Sequence, residues 1–321
     1  MIFNNIFSIK CELEHILIYV FGIKIKFKTK YTKIYRKRFD KNFSLEEQKY
    51  VIEKQFKERV GYTPNLDNPK TFNEKLQWLK LNNENPLITK CADKYLVREY
   101  IKEKIGEEYL IPLLGVYNTP DEIDFDKLPN QFVMKVNWGS GQNIIVKDKS
   151  ILDIKDANKK LTEWIKKNSN HYYFSFEWSY KNIKPKIIIE KYIEEMSGSL
   201  LDYKFFCFNG IPTYVQIDVD RFTNHKRCFY DMNFIKQNFT TYYPLYTGNI
   251  DKPENFEAMI EFSKILSKNF PFARIDFYNL NGNIKFGEIT FYHGNGMEPF
   301  TPAEWDYKLG DMLKLPFEIN P

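Results

Sequence analysis

The sequence predicts an α+β protein, with helices gathered early in the chain and hairpins later. Three observations carry this. Ser44-Leu-Glu-Glu47 and Thr71-Phe-Asn-Glu74 both have the spacing of a helix capping box. Asn209-Gly210 and Leu280-Asn281-Gly282 interrupt alternating apolar runs, as hairpin turns do. Hydrophobic residues at 43% and charged ones at 28% fit a folded chain rather than a disordered one.

Bulk properties exclude several classes of function. The net charge is only +5 and is concentrated near the N-terminus, so no basic face recurs for nucleic acid. Cys11, Cys91, Cys207 and Cys228 are scattered without a C-x-x-C pair, which fits a reducing compartment and no zinc site. The four histidines are isolated, and no Ser/His/Asp grouping can be argued.

Taken in order, residues 1–38 differ from the rest. The apolar run HILIYVFG (15–22) is far short of the ~20 residues of a membrane span. Ile23–Arg38 follows, rich in Lys and Arg and free of acids, the reverse of a signal peptide's order. Two readings stay open: an arm lying on an anionic membrane surface, or a solvated basic tail with one strand, since IKIKFK alternates. Helices are expected from Ser44 to about Val60, from Thr71 through Leu79, and over residues 91–105, which end at Gly106. Tyr109–Tyr117 reads as a buried strand and loop, and Asn118–Asp126 as a turn with local acids.

Phe132–Val136 is a strand carrying Lys135, followed by Gly139-Ser140-Gly141 and a strand over Ile144–Lys147. A strand lysine before a glycine loop can hold phosphates, because backbone N–H groups approach the oxygens and the lysine adds charge. It is not a P-loop, and a plain hairpin is the competing reading. Further on come a helix over Ala157–Asn168, a buried strand over Lys186–Ile193, and strands Asp202–Phe208 and Pro212–Val219 about Asn209-Gly210. A helix over Asn255–Lys268 follows. Phe270–Met297 contains a second hairpin, then a flexible loop, His293–Gly296. A short helix lies in Pro302–Leu313. A three-residue turn at Leu280–Gly282 sets Arg274 opposite Glu288 and makes Asp276 and Glu288 diagonal neighbours. Two carboxylates and an arginine on one hairpin suit a hard cation and an anion. An Arg–Glu ion pair on a wet face is the alternative.

The order of these pieces resembles the ATP-grasp superfamily: Asp93-Lys94, Lys135 with its glycine loop, Glu190-Lys191-Tyr192-Ile193, Lys204, and the R-x-D … E hairpin of Arg274, Asp276 and Glu288. Four stretches resemble its TupA-like branch, named for teichuronopeptide synthesis. They are TFNEKLQWLK (71–80), DYKFFCFNG (202–210), ARIDFY (273–278) and GEITFYHGNGMEPFTPAEWDYKLG (287–310). The resemblance covers about residues 45–316.

It implies two antiparallel-sheet subdomains clamping ATP, behind a helical N-terminal region. The corresponding divisions are a basic membrane-associating arm (1–40), a helical and α/β domain (41–130), an ATP lid (131–192) and a catalytic subdomain (193–321). By position, Lys94 and Lys135 would contact phosphates, covered by the backbone of Gly139, Ser140 and Gly141. The backbone of Lys191 and Ile193 would bond adenine, with Glu190 at the strand end, and Lys204 would reach the phosphates. Asp276 and Glu288 would hold Mg²⁺, with Arg274 beside the transferred phosphoryl group. Many relatives carry E-x-N where this chain has Glu288-Ile289-Thr290; the Thr290 hydroxyl is a weaker ligand, which bears on a second Mg²⁺.

The implied reaction joins a carboxylate and an amine through an acyl phosphate. The branch and the N-terminal pattern suggest a uronic-acid carboxylate of a capsular polysaccharide or its precursor, a small amine or amino acid as partner, and a cytoplasmic enzyme peripheral to the inner membrane. Arg221, ending a strand beside Asp220, is the expected clamp for the carboxylate, against an ion pair with Asp218 or Asp220. The His293–Gly296 loop would shape the acceptor pocket. A sugar kinase or glycosyltransferase on the same frame is the alternative, with Asp218, Asp220 and Arg221 serving an acceptor hydroxyl. A nucleotide-binding module that has lost catalysis is the third reading.

Overall fold

The computed structural model describes residues 7–11, 15–20, 23–193, 201–221, 223–280 and 282–316. Strands β1 (Phe7–Cys11), β2 (His15–Val20) and β3 (Ile23–Lys28) form an antiparallel meander. Helix α1 (Lys30–Tyr35) follows, its first turn capped by the Thr29 hydroxyl, which accepts the Thr32 N–H at 3.2 Å. The expected arm is therefore a small sheet and a docked helix. Tyr31 is buried against Val51, Ile52 and Phe56 of α2 (Leu45–Val60) and against Phe176.

Both capping boxes form, opening α2 and α3 (Phe72–Asn82). The helix expected over 91–105 is instead two helices, α4 (Pro86–Ala92) and α5 (Val97–Lys104). Asp93 parts them: its Oδ1 accepts the N–H groups of Tyr95 and Leu96, so the backbone turns rather than continuing. Lys94 rides on that turn.

Strands β4 (Leu113–Tyr117), β5 (Phe132–Val136), β6 (Asn143–Val146) and β7 (Ile187–Lys191) form a four-stranded antiparallel sheet in the order β4-β7-β5-β6. It thus draws a strand from residues 41–130. Helix α6 (Ile154–Ser175) is capped by Asp153 and buries Ala157 and Leu161 against Phe132, Met134, Ile187 and Ile189.

The larger sheet contains β8 (Asp202–Phe208), β9 (Ile211–Val219), β10 (Lys226–Asp231) and β11 (Lys236–Gln237). After the short β12 (Thr240–Thr241) and helix α7 (Phe256–Ser267), β13 (Phe272–Leu280) and β14 (Asn283–Thr290) complete it. The strand order is β11-β10-β9-β8-β13-β14. β15 (Phe300–Thr301) pairs with β12, and α8 (Glu304–Met312) closes the described chain. One face of this sheet is apolar: Phe205 meets Phe256 of α7 at 5.6 Å, and Phe277 meets Phe262 at 6.4 Å. Each such ring taken out of water contributes on the order of 2–3 kcal/mol. The other face carries the charges, and α3 and α8 pack over part of it.

The β13–β14 register differs from the sequence expectation. Leu280 pairs with Asn283, so the connection has two residues, and the ladder shifts between Asp276 and Phe277. Asp276 therefore lies directly opposite Glu288, and Arg274 opposite Thr290. Gly287 is the extra residue of the bulge; a Cβ there would stand 3.0 Å from the Asp276 carbonyl oxygen.

α8 seats on α3 through Gly310, where a Cβ would collide with the Lys70 carbonyl and lie 2.9 Å from the Phe72 nitrogen. Asp306 accepts the Asn73 backbone and side-chain N–H groups at 2.9 and 3.0 Å. Gly310→Ala is expected to force the helices apart and cost about 2–3 kcal/mol in urea unfolding. An unchanged midpoint would contradict this packing.

Candidate active site

Strand register sets the polar face in rows. Glu288, Asp276, Lys204 and Gln216 stand side by side across β14, β13, β8 and β9. Thr290, Arg274 and Phe206 form the row on one side of it, and Tyr278 and Asp202 the row on the other. Asp218 pairs with Arg227 across β9 and β10. Alternation on single strands thus gathers carboxylates and cations that are far apart in sequence.

Arg274 holds Asp276 with two bonds of 2.7 Å, from Nε and Nη2, and Nη2 reaches Glu288 Oε1 at 3.0 Å. Burial pushes the Asp276 carboxyl up to about 6, against the planar guanidinium of Arg274, which pulls the other way. Glu288 is crowded by protein yet 37% exposed, as befits a group in a cleft. Against its burial, Lys94 and then Arg274 hold its pKa below the ordinary value. Lys204 lies between Asp202 at 2.9 Å and Asp218 at 3.1 Å. Against burial, Lys204 and Arg227 hold Asp218 far below the carboxylate range.

The smaller sheet supplies the opposing wall. Lys135 Nζ meets Glu190 at 2.6 Å, and Arg98 of α5 meets the same carboxylate at 3.2 Å. Lys94 spans the gap, 3.9 Å from Glu288 and donating to the Gly139 carbonyl at 2.6 Å. Gly139 and Gly141 take positive φ of 69° and 80°, which makes the turn. Ser140 at its tip is exposed. Asn137 ties this loop to the Lys94 turn: its carbonyl accepts the Lys94 N–H at 2.9 Å and its amide donates to Asp93 at 2.8 Å. Lys94, Arg98, Lys135, Glu190, Phe286 and Gly287 line a cleft between the two sheets. At its edge the Lys191 N–H is already donated to the Pro112 carbonyl at 2.9 Å, and Ile193 follows, half-buried. That N–H is therefore spent within the protein rather than left for the adenine contact expected of it.

Several expectations change. Arg221 pairs with Asp202, not with Asp218 or Asp220, and keeps 44% of its side chain exposed. Asp220 takes a positive φ of 53° at the strand end. His293–Gly296, expected to be a flexible loop, is clamped by α3. Gln77 donates to the Asn295 and Gly296 carbonyls at 2.9 and 2.6 Å, and Lys80 to the Asn295 carbonyl at 2.7 Å. Lys80 is enclosed, and burial pushes its pKa down to about 7. The clamp sets His293 over Phe206, 4.7 Å between rings, with Nδ1 2.9 Å from Arg274 Nη1. Glu298 follows, bonded to Arg227 at 3.0 Å and Thr241 at 3.2 Å. Arg98, Asn137, Asp202, Arg227 and Glu298 are the members that sequence reasoning missed; Glu298 lay inside a motif without a role.

Among the described residues no group of three or more His, Cys, Asp or Glu gathers to hold a metal ion. The pair Asp276 and Glu288 still fits Mg²⁺ bound to a nucleotide, because that ion takes one or two carboxylates and fills its octahedron with phosphate and water oxygens. Thr290 is spent inward, its hydroxyl donating to Glu288 Oε1 at 3.0 Å. The donor set therefore suits one ion better than two. No helix among the described residues is long and apolar enough to cross a membrane.

Residues 74–314 match the model of the TupA-like ATPgrasp family. No curated protein matches the chain. Among solved structures it is similar to the D-alanine–D-alanine ligase of Bacillus anthracis, at 19% identity over 67% of this chain and 64% of that one, TM-score 0.38. It is also similar to an L-amino acid ligase of Bacillus licheniformis, at 14% identity over 75% and 55%, TM-score 0.46, and to a D-cycloserine synthetase, at 14% over 71% and 72%, TM-score 0.39. The chain spans less than two thirds of the length of the first two.

His171 adds a pH signature to this region. Its ring lies 4.8 Å from Trp138 and 4.9 Å from Tyr180, and burial, then Lys94, push its pKa down to about 4. As pH falls from about 6.5 to about 4 the unfolded chain takes a proton that the folded one refuses. Stability is therefore full above that window and is lost through it, by about 2–3 kcal/mol. His171→Gln should flatten the urea-midpoint profile between pH 7 and pH 4.5; an equal slope in both proteins would contradict the assignment.

Proposed function

The chain belongs to the TupA-like ATP-grasp family, and on that premise we propose that it is an ATP-dependent, ADP-forming carboxylate–amine ligase. The supporting observation is how the two walls meet: Lys94, on the turn between α4 and α5, reaches the Gly139 carbonyl of the glycine loop and Glu288 of the larger sheet, where Asp276, Lys204 and Arg274 stand beside it and Lys135 faces them from the smaller sheet. When bound, Mg²⁺ would draw charge off the β- and γ-phosphates. Asp276 and Glu288 would hold it, giving up bonds to Arg274. Lys94 and Lys135 would meet phosphate oxygens under the Gly139–Gly141 backbone, and Lys204 would face the transferred group from β8. Arg274, freed from Asp276, would follow the phosphoryl group as its charge moves. Lys191 and Ile193 would edge the base, and Glu190 would keep Lys135 and Arg98 in place.

The acceptor would be a sugar carboxylate, a uronic acid free or within a capsular polysaccharide precursor, and the second substrate a small amine or amino acid. The carboxylate oxygen attacks the γ-phosphorus, ADP leaves, and the amine displaces phosphate from the acyl carbon. Arg221 at the open end of the face is proposed to meet the carboxylate, releasing Asp202. Incubation with Mg-ATP, UDP-glucuronic acid and hydroxylamine should give a hydroxamate and ADP. AMP would point to adenylation, and a phosphorylated hydroxyl to a sugar kinase. Glu288→Gln should lower turnover on the order of 100-fold with little loss of stability, because the residue is part-exposed. Asp276→Asn should also unfold more easily, by about 2–3 kcal/mol, since it leaves the buried Arg274 charge with Glu288 as its remaining carboxylate partner. Near-wild-type turnover in Glu288→Gln would remove the metal role.

The first strands are proposed to rest the enzyme on the inner leaflet. In β3, Ile25 and Phe27 are 41% and 50% exposed on one side, and Lys24, Lys26 and Lys28 are exposed on the other. Lysines near an anionic surface add about 1 kcal/mol each. Because Tyr31 is core, the informative truncation removes residues 1–28. It should abolish co-sedimentation with anionic vesicles; equal sedimentation would contradict membrane association.

A further inference from the structure

Four side-chain atoms lie within hydrogen-bond distance of the Arg274 guanidinium among the described residues. Three are carboxylate oxygens, two from Asp276 and one from Glu288. The fourth is Nδ1 of His293, 2.9 Å from Nη1. A guanidinium can only donate, so Nδ1 must carry the lone pair. The proton of the neutral ring then sits on Nε2, which faces Glu298 Oε2 at 3.2 Å, off the line of a well-formed hydrogen bond.

The surroundings enforce this state. Arg274 approaches from β13, Arg227 from β10 and Glu298 from the segment after the loop, with the Phe206 ring beneath. An imidazolium would stand between two guanidiniums, and Glu298 is already shared with Arg227 and Thr241. Burial lowers the ring's pKa, with the two arginines adding to this against Glu298. His293 is only 3% exposed, and the α3 clamp holds the backbone just after it, at Asn295 and Gly296.

We infer that His293 is a positioning residue whose neutral Nδ1 anchors one corner of Arg274 while Asp276 and Glu288 exchange their arginine bonds for a divalent cation. The carboxylate contacts are the ones a metal would claim, and the histidine contact is the one it would not. Nη1 thus stays fixed while Nε and Nη2 turn toward phosphoryl oxygens. This rests on the metal and nucleotide reading above.

The test uses the full chain with ¹⁵N-labelled histidine rings, the His293 signals being assigned by their loss in His293→Asn. Long-range ¹H–¹⁵N spectra should show a neutral, Nε2-protonated ring from about pH 6 to about pH 8, both free and with Mg-ADP. An Nδ1-protonated ring, or an imidazolium in either state, would overturn the inference. Turnover supplies a second arm. His293→Asn keeps an acceptor oxygen near the place of Nδ1, and His293→Leu does not. Both should retain the thermal shift given by Mg-ADP. The Leu variant should lose about 100-fold in ADP formation and the Asn variant less than about 10-fold. Equal losses would overturn the anchor. If no carboxylate supports turnover in the wild type, the ligase reading fails, and the tautomer still decides this one.

Discussion

The structure depends on keeping a dense set of charges neutral on one buried sheet face. Lys204 answers Asp202 and Asp218, Arg227 answers Asp218 and Glu298, and Arg274 answers Asp276 and Glu288. Each group is expensive to bury alone, so the positions are mutually dependent. The β-sheet supplies the precision, because register places each side chain against its partner across a strand. The apolar face beneath, packed on α7, supplies the stability that lets the upper face be polar.

The second dependence is on α3. Its inward polar residues form no external surface. Asn73, Lys75, Gln77 and Lys80 donate to carbonyls of Glu298, Leu313, Asn295 and Gly296. Those bonds hold the segment that carries His293 and Glu298, so a helix remote in sequence from the hairpin sets the geometry around Arg274. Gly296 permits the close approach: a Cβ there would sit 2.5 Å from the Gln77 amide nitrogen.

Much of the fold was legible because its signals are local. Both capping boxes, the Asn209-Gly210 hairpin and the partnership of β13 with β14 follow from short-range chemistry. Register was not legible, since the bulge at Gly287 depends on the backbone approach to Asp276, and a lone glycine does not announce it. The Lys94 turn was hidden by good helix formers on both sides, with Asp93 as the single break. In the cleft, the residues that sequence named are those whose charge stands out on a strand or beside glycines. Arg98, Arg227 and Glu298 were missed because an isolated charge within a strand, helix or loop looks like a solvated one. Only tertiary packing brings them inward. The buried polar side of α3 was illegible for the same reason.

In the structure the carboxylates of the hairpin are paired with Arg274, and on the proposed reading a metal brought with the nucleotide would replace that pairing. ATP without a divalent cation would bring its phosphates beside Asp276 and Glu288 with the one Arg274 charge shared among them. The most direct measurement is a calorimetric titration of the full chain with ATP, with and without Mg²⁺. The account predicts affinity that rises at least about tenfold with Mg²⁺ and a loss of that gain in Glu288→Gln. Equal affinity in both conditions, or a Mg²⁺ gain that survives in Glu288→Gln, would contradict it.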